Sequence, residues 1–116
     1  MRFMMLAKSA ENGAVPPQEM IDAVERLSEH LEKEGKLITR GGLFPSAMSS
    51  RVRLSGGKVH VLDGPFTETK EVVGGYSVME FESKEAADKS AVEFMELSKK
   101  YWPEWEGETE IRQIWT

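Results

Sequence analysis

The 116-residue chain has the size of one average globular domain, and its composition excludes several classes of protein. Fifteen basic against twenty acidic residues give a net charge of -5, which argues against a nucleic-acid-binding protein. The absence of cysteine excludes disulfides, thiolate metal sites and a cysteine nucleophile. Apolar stretches are only a few residues long, and the N-terminus shows no signal-peptide pattern. We therefore predict a single cytoplasmic domain over residues 1–116 that does not enter a membrane.

The N-terminal part of the chain predicts a strand, a helix and a second strand. Arg2 to Lys8 is apolar on both alternating sets of side chains, so both faces of this strand need cover. Pro17 suits the first helical position, and apolar residues then recur at helical spacing until Gly35 ends the helix. Lys36 to Arg40 is a short strand that ends at a glycine pair.

The middle of the chain predicts a hairpin and a longer strand. The hairpin strands are Ser50 to Leu54 and Lys58 to Leu62, because Ser-Gly-Gly between them is typical hairpin punctuation. Val72 to Phe81 follows as a strand in which Gly74 and Gly75 form a bend or a bulge.

The C-terminal part predicts one more helix and a last strand. Ser83 is a suitable N-cap for a helix from Lys84 to about Tyr101, which Pro103 stops. Residues from Glu108 to Trp115 then alternate in polarity, as expected of a strand.

Two strand–helix–strand units predict an α+β ferredoxin-like sandwich, whose antiparallel sheet carries both helices on one face. The other sheet face then stays bare, although the first strand is apolar there as well. An apolar sheet face of that size is unusual on a monomer. We therefore predict a homodimer in which two sheets face each other.

The segment from Asp63 to Tyr76 (DGPFTETKEVVGGY) carries the most specific information in the chain. Asp-Gly-Pro is common turn chemistry, and we expect the Asp63 carboxylate to accept backbone N–H bonds in its own loop. Alternatively, the loop brings the candidate catalytic residues Asp63, Glu68 and Glu71 to the rim of a pocket as acid and base. Carboxylates alone favour hard cations, and we predict neither a metal nor a cofactor.

Five residues around this segment are candidates for substrate binding: Arg51, His60, Phe66, Lys70 and Tyr76. Arg51 suits an anionic group or balances the nearby glutamates, and His60 reaches a pocket or stays on an exposed hairpin. The aromatic residues Trp102, Trp105 and Trp115, with Tyr101, form a platform for a ring substrate or, more commonly, pack a helix end against a sheet edge or a dimer seam.

The run DGPFTETKE, followed by GGY and preceded by the hairpin RVRLSGGKVHVLDGPF, closely resembles the bacterial YCII-related proteins of the DGPF-domain type. The opening strand MRFMMLAK, the segment LEKEGKLITRGGLFP and the closing EIRQIW also stand where that family has them. The resemblance implies a ferredoxin-like fold that pairs as a dimeric α+β barrel. Some such proteins are encoded beside extracytoplasmic-function sigma factors, which hints at regulation.

The resemblance leaves two functions open. In the first, the chain binds a small molecule or acts as a lyase-like enzyme in a pocket near the DGPF loop; one relative is a dehydrochlorinase of a chlorinated aromatic. Enzyme-like members carry a His of a His–Asp pair on the first helix, where this chain has Val24. We therefore expect any pocket here to work without that histidine. In the second, the chain is a non-catalytic regulatory partner linked to a sigma factor.

Overall fold

Residues 1–115 are described by a computed structural model and form six strands, two α-helices and one short 3₁₀ helix. The strands are β1 (Arg2–Ser9), β2 (Leu37–Gly42), β3 (Ser50–Ser55), β4 (Lys58–Asp63), β5 (Val72–Glu80) and β6 (Gly107–Gln113). The helices are α1 (Gln18–Lys33) and α2 (Lys84–Tyr101), and the 3₁₀ helix covers Ser46–Met48. Neither α-helix within the described residues has the length and apolar character needed to cross a membrane.

Four strands form an antiparallel sheet in the order β2-β5-β1-β6, while β3 and β4 form a separate two-stranded hairpin. This strand order is that of a ferredoxin-like fold. Both helices pack on one sheet face, because Phe3 and Met79 share a buried cluster with Leu31 of α1 and Ala87 of α2. The predicted α+β ferredoxin-like sandwich is therefore confirmed, with the hairpin inserted between β2 and β5.

The helix ends follow local signals in the sequence. The Ser83 hydroxyl accepts a hydrogen bond from the Ala86 N–H at 3.1 Å, as predicted for the N-cap of α2. Gly35 follows α1 with a φ of 72°, a left-handed conformation that favours glycine after a helix. Pro17 is the N-cap of α1 rather than its first helical residue, since its backbone is extended.

β1, β3 and β4 each end one residue later than predicted, and the other three strands differ in more detail. β5 is continuous, and its register skips Gly74: Ala7 of β1 pairs with Gly75, whereas the next residue pairs with Val73. The predicted irregularity at the glycine pair is thus a bulge. β2 continues through Gly41 and Gly42, because both glycines pair with β5. β6 begins one residue earlier and ends two residues earlier than predicted.

The sheet has one face that neither helix covers, here called the open face. Side chains of β1 alternate, so Phe3 faces the helices while Met4 and Leu6 face the other side. The β5 residues opposite these two, Val78 and Tyr76, share the open face. Its apolar side chains are half-buried by their neighbours within the sheet. The homodimer that would cover this face stays a prediction.

Candidate functional site

The helix-facing side chains of the sheet decrease in size from one end of the strands to the other. In β1 they are, in order, Phe3, Met5, Ala7 and Ser9. The residues of β5 opposite the first three are Met79, Ser77 and Gly75. In β6, Ile111 is opposite Met5 and Thr109 is opposite Ala7. At the level of Ala7 all three strands carry small residues, and Ser77 adds a small side chain beside Met5, so large side chains fill only one half of the layer between sheet and helices.

The other half of that layer is a cleft with a volume of about 640 Å³. Most of α1, from Met20 to Leu31, and the part of α2 from Ser90 to Ser98 lie over it, and small side chains of the sheet form much of its floor. Small-molecule pockets commonly have volumes of about 300–1,000 Å³. The residues at the cleft from the two helices and the segment after α2 are Met20, Ile21, Val24, Glu25, Leu27, Ser28, Leu31, Ser90, Ala91, Phe94, Ser98, Trp102 and Trp105.

Aromatic side chains form one wall of this cleft. Phe94 projects from α2, and Trp102 and Trp105 follow at its C-terminal end. The two tryptophan rings stack on each other, with centroids 6.0 Å apart and planes inclined by 26°. Trp102 and Trp105 therefore pack together at the helix end and line the cleft, whereas Trp115 is 98% exposed; the role of a platform for a ring substrate stays a prediction.

An ion pair supplies charge at the cleft. Arg40 of β2 donates through Nη2 to Oε1 of Glu25 on α1, and both side chains are partly exposed. The other guanidinium nitrogens of Arg40 remain able to donate to a polar group of a ligand. The neighbouring position on α1 is Val24, which also lines the cleft. At position 24 the cleft therefore has an aliphatic side chain, which transfers no proton.

The DGPF segment is anchored by a chain of hydrogen bonds outside the cleft. The Phe66 N–H donates to the hydroxyl of the buried Ser46 at 3.1 Å. Both the hydroxyl and the backbone N–H of Ser46 donate to the carboxylate of Glu11, the latter at 2.6 Å. These bonds lower the pKa of Glu11, because they stabilise its charged form. The β1–α1 connection thereby fixes the 3₁₀ helix and the DGPF segment together.

Close packing at Gly64 explains why the DGPF turn needs glycine. A Cβ atom there would lie 1.6 Å from the carbonyl oxygen of Ser46. The Gly64 N–H also donates to the carbonyl of Ser49 at 2.8 Å. The Asp63 side chain is exposed and makes none of the hydrogen bonds that fix this turn. The prediction of an Asx-type turn is therefore wrong, because contacts with the 3₁₀ helix fix the loop and the Asp63 carboxylate does not.

Arg51 brings two other candidate residues together. Its guanidinium donates to Glu68 at 2.8 Å and to the Thr69 hydroxyl at 3.1 Å. The same group lies 3.8 Å from the centre of the Phe66 ring, which is a cation–π contact. Arg51 therefore clamps the DGPF segment against the base of the hairpin.

The remaining candidates are dispersed. His60 is exposed on the hairpin opposite Arg53, and Lys70 is exposed beyond the DGPF turn. Glu71 is half-buried just before β5. Tyr76 lies on the strand that floors the cleft, but its ring covers Gly41, where a Cβ atom would lie 2.8 Å from it.

Of the eight candidate residues, only Tyr76 belongs to the lining of the cleft. Its register opposite Leu6 places its side chain on the open face. The catalytic and binding roles of the eight residues stay predictions. The residues that sequence reasoning missed are those of the cleft, and the signal for them was the decreasing side-chain size along the helix-facing positions of β1 and β5.

A second charged cluster lies at the edge of the open face. The Lys8 ammonium group lies 2.6 Å from a Glu110 oxygen, and Arg112 contacts the other oxygen at 3.0 Å. Hydrogen bonding to Glu110 raises the pKa of Lys8, and the two cations lower the pKa of Glu110. No group of three or more His, Asp or Glu side chains among residues 1–115 is arranged to hold a metal ion.

The comparison with protein families identifies most of the chain. The model of the YCII-related domain matches residues 1–95, from β1 into α2, and includes the hairpin and the DGPF segment. The comparison with curated proteins gives no match. Since the family model covers well over half of the sequence, the chain belongs to the YCII-related domain family.

Proposed function

We propose that this protein binds an apolar small molecule in the cleft between the sheet and the two helices. The main observation behind this proposal is the register of β1, β5 and β6. It places small side chains of the three strands at the same end of the sheet and leaves a cleft of about 640 Å³ beneath the helices. Protein interiors are otherwise packed as closely as organic crystals. A gap of this size inside the layer is therefore suited to a guest.

The lining indicates the chemistry of the ligand. Phe94, Trp102 and Trp105 favour a ring system, because aromatic groups pair through offset or tilted rings. Arg40 at the cleft favours one anionic or strongly polar end, which a guanidinium binds with directed hydrogen bonds. We therefore expect a planar, largely apolar molecule with a single charged end.

Binding does not require a reaction. Val24 supplies no acid or base, so a lyase-like reaction would depend on other groups. The catalytic role of Asp63, Glu68 and Glu71 stays a prediction, as do the cytoplasmic location and the sigma-factor link. Ligand binding without turnover also fits the regulatory alternative, in which a partner protein would respond to ligand binding in the cleft.

A fluorescence titration with anilinonaphthalene sulfonate tests the proposal, because this probe has aromatic rings and one anionic end. We compare the native chain with Gly42→Phe and with Val92→Phe. Gly42 lies at the cleft, and a Cβ atom there meets nothing within 4 Å, so the ring has room to enter the cleft. Val92 is 58% exposed on α2 and does not line the cleft, which makes it a matched control.

The native chain and Val92→Phe should bind the probe equally, and Gly42→Phe should weaken binding at least about tenfold, which corresponds to 1.4 kcal/mol. Binding should also quench the emission of Trp102 and Trp105, measured in a Trp115→Phe background because Trp115 is almost fully exposed. Equal binding by all variants would overturn the assignment of the cleft as the ligand site.

A further inference from the structure

The β3–β4 hairpin exposes an apolar face that nothing in the single chain covers. Val52 pairs with Val61 and Leu54 pairs with Val59, so all four side chains lie on the same face of the hairpin. Each of the four is between 68% and 73% exposed. An isolated two-stranded hairpin is only marginally stable in water, and this one does not hydrogen-bond to the main sheet.

Exposed apolar side chains are concentrated in this part of the molecule. Among the described residues, seven of the thirteen exposed large hydrophobic side chains lie between positions 43 and 61. The hairpin contributes four, and the segment before it adds Leu43, Phe44 and Met48, of which Phe44 is 78% exposed. Scattered apolar residues are normal on a surface, but the four hairpin side chains are neighbours on one face, and a contiguous exposed apolar group marks a contact surface.

The base of the hairpin is held in a defined position. Arg51 joins β3 to Glu68 and Thr69 of the DGPF segment, and its guanidinium packs on the Phe66 ring. Ser46 accepts a hydrogen bond from Phe66 of the same segment and donates to Glu11 in the β1–α1 connection. These contacts connect the base of the hairpin to the DGPF segment, and a surface that is ordered before docking loses less conformational freedom when it binds.

Charge indicates what that partner is. The hairpin, residues 50–63, contains three of the fifteen basic residues, Arg51, Arg53 and Lys58, and one of the twenty acidic ones, Asp63. The rest of the chain is correspondingly acidic. Two hairpins would repel each other, whereas a basic hairpin is attracted to the acidic body of another molecule of the same sequence.

We propose that the hairpin is an arm that packs its apolar face on the body of a second copy of this chain. In a two-fold dimer each copy gives one arm and receives one, so both apolar faces become covered. The contact is separate from the pairing of open faces predicted from the sequence, and one dimer accommodates both. This proposal does not depend on a ligand in the cleft.

Sedimentation velocity across micromolar concentrations tests the proposal with the full chain. The native protein should sediment as a dimer of the 13.1 kDa chain. The double variant Leu54→Thr with Val59→Thr keeps strand-forming residues at a cross-strand pair but removes its apolar contact. It should raise the dimer dissociation constant at least about tenfold. The control Val92→Thr, at an exposed apolar position on α2, should leave the constant unchanged.

Hydrogen–deuterium exchange of the native protein gives a second measurement that needs no variant. Amides of residues 50–63 should be protected at concentrations where the dimer forms and should exchange faster on dilution. A native chain that is monomeric throughout would overturn the proposal. A dimer whose dissociation constant is the same in the double variant, with exchange of the hairpin independent of concentration, would also overturn it and would assign the dimer to the open face alone.

Discussion

Ser77→Val tests whether the layer between sheet and helices really has room at the cleft. Ser77 lies on β5 opposite Met5, lines the cleft, and is followed two residues later by the buried Met79. Valine replaces the hydroxyl by two methyl groups and suits a strand. Burial is worth about 0.8 kcal/mol per carbon, so the variant should be stabilised by about 1–2 kcal/mol in the absence of a ligand.

The matched control is Ala87→Val on α2, where the native side chain is fully buried in the packed half of the layer. Added methyl groups find no space there, and overpacking typically costs about 1–3 kcal/mol. Urea unfolding followed by circular dichroism measures both free energies of unfolding. If Ser77→Val loses as much stability as Ala87→Val, the small side chains of the sheet are closely packed and the cleft is not available to a ligand.

Two further predictions concern the DGPF turn. Gly64→Ala should lower the melting temperature strongly, because its Cβ would lie 1.6 Å from the Ser46 carbonyl oxygen. The control Gly74→Ala should have a small effect, because its Cβ meets nothing within 4 Å. Equal melting temperatures of the two variants would contradict this packing. The lowered pKa of Glu11 stabilises the fold above the ordinary carboxyl value of 4.5, and this contribution is lost as the pH falls through the lower value of the folded state. After correction for the intrinsic pH dependence of exchange, the Phe66 amide should therefore exchange faster below that pH in the native chain. In Glu11→Gln its exchange should not depend on pH. The same acceleration in both proteins would refute the role of Glu11.

Features that depend on neighbouring residues in the chain could be predicted from the sequence. Ser83 caps α2 through an N–H three residues away, and Gly35 adopts the left-handed conformation that follows a helix. The hairpin and the bulge at Gly74 likewise follow from glycines in strand-forming surroundings. The strand and helix order then leads to the ferredoxin-like arrangement, because few connections satisfy the rules of handedness.

Features that depend on distant contacts were not predicted. The cleft arises only because Ser77 and Gly75 come opposite Met5 and Ala7, and this register is set by the folded sheet. The DGPF turn is likewise fixed by Ser46, not by the adjacent Asp63. A carboxylate beside Gly-Pro is a good local candidate for a turn, but tertiary hydrogen bonds determine the loop here.

The most direct test of the cleft as a ligand site is a crystal structure of the native protein grown with anilinonaphthalene sulfonate. We predict that the aromatic rings lie against Phe94 and Trp102, with the sulfonate within hydrogen-bonding distance of Arg40. The hairpin is the competing apolar surface, and Val52 with Val61 is one of its two exposed apolar cross-strand pairs. Density for the probe on the hairpin alone, with the cleft empty, would contradict the account.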